Sequence, residues 1–106
     1  MFNKNAQAEN VVLIGRKPVM NYVTACITFF NSGEKQVVVK ARGRAICKAV
    51  DTVELLRRAF IKNLEIKNIS IDTEELVRTE SGQKSNISSI KIVVSKTESQ
   101  SLEDET

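Results

Sequence analysis

The sequence predicts an α/β two-layer sandwich in the order β-α-β-α-β-β, ending in a long C-terminal β-hairpin arm. Three observations carry that expectation. Two stretches repeat their apolar residues at helical steps of three and four. Each follows a short apolar run of strand length. Beyond residue 63 the pattern turns to alternation, broken once by the turn signal Ser81-Gly82-Gln83.

The elements follow in order. Val11-Val12-Leu13-Ile14 reads as a short buried strand ended by Gly15. Pro18 suits the first turn of a helix, where its missing N–H costs nothing. Val19, Tyr22, Val23, Cys26, Ile27 and Phe30 then form one apolar stripe, and Asn31-Ser32-Gly33 closes the helix. A second strand covers 36–41, and Gly43 permits a tight turn. A second helix spans 45–60, its stripe made of Ile46, Ala49, Val50, Val53, Leu56 and Phe60, with Asp51, Glu54, Arg57 and Arg58 on the wetter side. Leu64 and Ile66 alternate, and Ile69 and Ile71 alternate in the opposite phase. A one-residue slip would throw later side chains to the wrong face, so a β-bulge is expected near Asn68. Leu76 and Val77 continue that strand, and Ile90, Ile92 and Val94 share a face on the return, giving a hairpin over 65–96.

The chain of 106 residues holds one domain, 42% hydrophobic. A domain of this size is only marginally stable alone and gains from pairing with a second copy. The expected division is a flexible N-terminus (1–9), the domain (10–96) and an acidic disordered tail (97–106). The net charge of +3 hides an asymmetry: all 16 Lys and Arg precede residue 97, whereas Glu98, Glu103, Asp104 and Glu105 crowd the end. A basic body suits a polyanionic partner. The tail reads either as a competitor for the basic surface or as a solubilising end. Few aromatics and no Trp argue against a surface built mainly on base stacking.

Cys26 and Cys47 fall in the two helices and are expected to be buried free thiols, in an intracellular chain. Two Cys without His make no usual zinc site, and no cofactor is implied. No signal-peptide pattern or membrane-length apolar run occurs.

The charge that matters sits where strands hand over to helices. Lys40, Arg42, Arg44 and Lys48 occupy nine residues with no acid among them, around Gly43. Lys40 and Arg42 share a strand face, while Arg44 and Lys48 open the helix. A helix start offers unpaired N–H groups and a positive dipole end, and a glycine admits a phosphate backbone closely. A solvated basic face is the alternative. Gly15-Arg16-Lys17-Pro18 repeats the same design after the first strand. If the first two strands are parallel, both helix starts lie at one sheet edge, a plausible shared anion surface.

The stretches NVVLIGRKPVMNYV (10–23), VVVKARGRAICKAVDTVELLRRAF (37–60) and SNISSIKIVV (85–94) closely resemble the Alba family of archaeal chromatin and RNA-binding proteins, over about residues 10–95. The resemblance implies the βαβαββ fold just read. It implies homodimers, with higher assemblies on DNA, that bind double-stranded DNA with little sequence preference and often bind RNA, in the cytoplasm at the nucleoid. Arg16 and Lys17 stand at the family's backbone-contacting basic pair. Arg42 and Arg44 match its K-A-R-G-R motif. Lys40 and Lys48 flank those arginines in the basic run. Arg78 and Lys84 lie in the arm, which in the family reaches toward the minor groove. Phe60 matches a contact between dimers; alternatively it finishes the helix stripe inside the monomer.

Two departures stand out. Many relatives carry Lys-Lys where this chain has Arg16-Lys17, and the first lysine is the family's acetylation switch. Arginine keeps its charge and cannot be acetylated there, which leaves Lys17 as the residue open to modification. Glu74, Glu75 and Glu80 also place acids on the arm, weakening its pull on phosphate. An RNA-centred role, such as an RNA chaperone or a ribonucleoprotein subunit, is the alternative to DNA architecture. A nuclease is disfavoured: no His is available as a base, and Glu74 and Glu75 point to opposite faces of a strand.

Overall fold

The computed structural model describes residues 10–97; the expected flexible N-terminus and acidic tail lie outside the described residues, apart from Thr97. The elements are β1 (Val11–Leu13), α1 (Val19–Asn31), β2 (Gln36–Arg42), α2 (Ala45–Leu55) with a π-helical turn (Leu56–Phe60), β3 (Leu64–Val77) and β4 (Lys84–Lys96). The order is the expected one. The sheet runs β1-β2-β4-β3, with β1 and β2 parallel and both other pairings antiparallel.

Period-two burial decides which face the helices cover. On β2, Val37, Val39 and Ala41 are buried, and they lie opposite Val94, Ile92 and Ile90 of β4. Tyr22, Val23, Cys26 and Phe30 of α1 complete this core with Ala49, Val53 and Leu56. The intervening residues Lys40, Arg42 and Lys91 face outward on a sheet surface without helices. β1 is less buried than expected. Val12 is buried but Leu13 is 69% exposed, because it falls on the open face.

The bulge is present. Ile66 pairs with Val94 and Asn68 with Val93, so Lys67 is the extra residue. Ile66, Ile69 and Ile71 thereby share the helix-side face, opposite Val94, Ile92 and Ile90. Ile69 and Ile71 still stay exposed, at 54% and 80%. β3 is the sheet's edge, and the helices lie mainly over β1 and β2.

The second helix departs most from its expected stripe. Val50 and Phe60 are exposed at 43% and 47%, and Thr52 is buried instead. The line Ala49, Thr52, Val53, Leu56 faces the sheet, and the Thr52 hydroxyl is satisfied by donating to the Lys48 carbonyl (2.8 Å). The π-turn then moves Phe60 away. The Ile61 N–H bonds the Leu56 carbonyl at 2.8 Å, an i→i−5 step, and it is Ile61, not Phe60, that packs against the core. Cys47 is likewise exposed, contrary to expectation, whereas Cys26 is buried and its thiol is pushed up to about 11 by burial. Pro18 caps α1 from just outside, at φ −63° and ψ 156°.

Candidate nucleic-acid interface

The topology brings three basic features to one end. Because β1 and β2 run parallel, the β1–α1 and β2–α2 junctions lie at the same edge. β4 pairs with β2 only as far as Ser89 opposite Arg42, while the β3–β4 ladder continues to Val77 opposite Lys84. The hairpin arm therefore projects past the same edge. It contributes much of the long dimension of a body measuring 63 × 32 × 21 Å.

At the first junction Gly15, Arg16, Lys17 and Pro18 are all exposed. Their backbone is held from below. The Tyr22 Oη accepts the Gly15 N–H (2.9 Å) and the Lys17 N–H (3.0 Å). Lys48 reaches over from α2, and its Nζ donates to the Gly15 carbonyl (3.0 Å) and the Lys17 carbonyl (2.7 Å). A Cβ on residue 15 would stand 3.3 Å from the Tyr22 Oη, so glycine fits this close approach.

At the second junction Arg44 is the N-cap of α2, exposed, with no capping side chain and no acid in the first turn. α1 also begins without a side-chain cap or an acid. Both helix starts thus keep backbone donors and a positive dipole end facing the same edge as the cations. Gly43 has φ 58°, and its N–H bonds the Ser88 carbonyl (2.8 Å). A Cβ there would come within 2.9 Å of Ile87 Cδ1. The space beside Gly43, which the sequence argument assigned to a phosphate, is taken by Ile87 of the arm.

Arg42 and Lys40 lie on the open sheet face, a different layer from Arg44 and Lys48. Arg42 donates to Glu74 Oε1 at 3.1 Å, an ion pair with both side chains about half exposed. Lys40 stands opposite Lys91 across β2 and β4, two like charges in direct register. These residues line a groove with Leu13, Asp72 and Glu74. Arg78 and Lys84 flank the turn of the arm, where the Gly82 N–H bonds the Arg78 carbonyl (2.7 Å). Among the described residues Arg16, Lys17, Lys40, Arg44, Arg78, Lys84 and Lys91 make no ion pair with an acid. Arg57 is bound to Glu54 at 2.6 Å, as the wetter helix face predicts.

Sequence reasoning passed over Lys91 and missed the contacts of two residues it did name, Tyr22 and Glu74. Lys91 alternates with Ile90 and Ile92, so its facing was readable, but its placement beside Lys40 needed the β2–β4 pairing. Tyr22 read as a packing residue. Glu74 meets Arg42 only through the hairpin register.

Fold and site together define a class: a small basic α/β module whose two strand–helix junctions and projecting arm present cations at one end. The chain belongs to the Alba family. The family model for Alba matches residues 10–73. The chain is 56% identical over 84 residues to the DNA/RNA-binding protein Alba of Methanocella arvoryzae, covering 79% of this chain and 86% of that one. It is 49% identical over 89 residues to the DNA/RNA-binding protein Alba 1 of Archaeoglobus fulgidus, covering 84% and 98%. The structure of Alba from Thermoplasma volcanium superposes with a TM-score of 0.76 at 45% identity, covering 82% of this chain and all of that one. ALBA1 from Trypanosoma brucei gives 0.67 at 31% identity, covering 91% and 76%. No helix among the described residues is long and apolar enough to cross a membrane.

Proposed function

We propose that this chain binds double-stranded DNA as an architectural, largely sequence-neutral protein, through phosphate contacts. The carrying observation is the gathering of Arg16, Lys17, Arg42 and Arg44 at one edge, with Arg78 and Lys84 on an arm projecting past it. Phosphate contacts fix register and carry no base information. Lys40 and Lys91 extend the positive surface onto the open sheet. RNA is a second target: the relatives from Methanocella arvoryzae and Archaeoglobus fulgidus carry both nucleic acids in their names.

The working unit in this reading is a homodimer. Its support is the long edge strand β3, which leaves Ile69, Ile71 and Val77 exposed on one face of an unpaired edge. Such an edge invites coverage. Phe60, exposed at the end of its helix, serves contacts between dimers along DNA. Lys17, exposed in the first loop, is the residue open to acetylation. The reading has no catalytic step.

Binding of matched duplex DNA, duplex RNA and single strands, each across a salt series, tests the proposal. Arg44→Ala is expected to weaken binding to unrelated DNA sequences about equally, by on the order of 1–2 kcal/mol, with little change in melting. Sequence-selective loss would overturn the sequence-neutral mechanism. Preferential affinity for RNA at every salt concentration would move the main role to RNA. Cleavage of either nucleic acid on incubation with magnesium would overturn the non-enzymatic reading.

A further inference from the structure

We infer that Tyr22 and Lys48 are positioning residues for the Arg16–Lys17 loop, so that Lys48 acts through that loop and not by touching nucleic acid. The inference rests on the reading of this loop as a phosphate-binding element. It follows from four hydrogen bonds made by two side chains. The Tyr22 Oη accepts the N–H groups of Gly15 and Lys17, at 2.9 and 3.0 Å. The Lys48 Nζ donates to the carbonyls of the same two residues, at 3.0 and 2.7 Å. Both backbone polar groups of the residues on either side of Arg16 are therefore held.

Three consequences follow. First, the loop is ordered before any ligand arrives. A short loop containing glycine would otherwise lose conformational freedom on binding, and preorganisation removes that cost. Second, the carbonyls of Gly15 and Lys17, the negative ends of their peptide groups, are engaged by an ammonium and masked from an approaching phosphate. Third, Lys48 lies in the first turn of α2, so it ties the first basic junction to the second across 31 and 33 residues of sequence. The tyrosine is a firm base: its side chain is 9% exposed and packed in the core between the helices and the sheet. Gly15 completes the device, since a Cβ there would press on the Tyr22 hydroxyl at 3.3 Å.

The test is a salt series on one duplex of fixed length, with melting measured alongside. Tyr22→Phe, Lys48→Met and Lys48→Arg are compared in the natural chain and in an Arg16→Ala/Lys17→Ala background. Tyr22→Phe exchanges one neutral group for another. It is nevertheless expected to weaken binding about three- to tenfold and to make the log–log salt slope shallower, by up to about 1 per protomer, as phosphate contacts from the loop are lost. A purely structural role would lower the melting temperature and leave the slope unchanged. Lys48→Met is expected to weaken binding similarly, and Lys48→Arg, which can still donate to two carbonyls, to restore most of it. In the background lacking both loop cations, Tyr22→Phe and Lys48→Met are expected to change affinity by less than about twofold, because coupled residues act as a unit.

Should Tyr22→Phe fail to fold, the Lys48 pair carries the test alone. Unchanged slope and affinity in both Tyr22→Phe and Lys48→Met would overturn the inference. So would a full loss from Lys48→Met in the loop-deficient background, which would make Lys48 a direct contact. If Arg16→Ala/Lys17→Ala itself binds like the natural chain, the phosphate reading of the loop falls, and the positioning role falls with it.

Discussion

Among the described residues, Arg42 is the one cation of the K-A-R-G-R stretch that meets an acid. Its contact with Glu74 is exposed, so it adds little to stability, in the range of 0–1 kcal/mol for surface pairs. Its effect falls on binding: a phosphate must displace the carboxylate or accept its repulsion. Glu74→Gln keeps the shape and removes the charge. It is expected to tighten DNA binding several-fold at low salt, less at high salt, with melting unchanged; equal affinity at low salt would show that Glu74 swings clear at no cost. The two thiols differ for a similarly local reason. Cys47 is open to solvent, and Cys26 is buried with its thiol pushed from about 9 up to about 11. A thiol reagent at mildly alkaline pH is expected to modify one cysteine in the native protein and both after unfolding. A thiol held protonated by the fold contributes stability that is intact below about 9 and lost as pH rises through about 11. Rapid native labelling of both residues would show that the α1 face opens readily.

At the level of elements, periodicity foretold what local chemistry controls and missed what packing controls. The bulge at Lys67 was readable, because the three-residue step from Ile66 to Ile69 breaks a period of two and demands an extra residue. The π-turn carried no such mark. Its apolar residues fit an α-helical stripe as well as they fit the observed backbone, and only the seating of Leu56 and Ile61 in the core selects the wider turn. Phe60 shows the consequence. A Phe in the monomer core would cost about 3–5 kcal/mol on truncation to Ala. Exposed at 47%, it is expected to cost far less. Phe60→Ala should therefore leave the melting temperature within a few degrees of the natural chain while broadening the DNA-binding transition. A large drop in melting with unchanged cooperativity would return Phe60 to the monomer core.

Across the whole molecule, the gathering of cations at one end was legible and its layering was not. Gly-Arg-Lys and Arg-Gly-Arg after two parallel strands put cations at one edge by topology alone. The split of the basic run between the open sheet face (Lys40, Arg42) and the helix start (Arg44, Lys48) needed the alternation of β2 and the turn at Gly43 together. The recruitment of Lys48 to loop carbonyls depends on how α2 packs beside the first loop. Charge at long range is readable from the sequence. All 16 Lys and Arg precede residue 97, and four acids lie in residues 98–106. About six phosphate contacts per dimer, three of the four cations Arg16, Lys17, Arg42 and Arg44 on each protomer, would give a log–log salt slope near −5 on duplex DNA, and a flat response would contradict phosphate neutralisation. The acids of 98–106 bear on the same quantity, since any time they spend near the basic edge replaces phosphate there. Removing residues 98–106 is expected to tighten binding at low salt and to converge with the full chain as salt rises and the Debye length shrinks below the spacing of exposed charges. Identical affinities for the full and shortened chains at low salt would leave those acids the solubilising role alone.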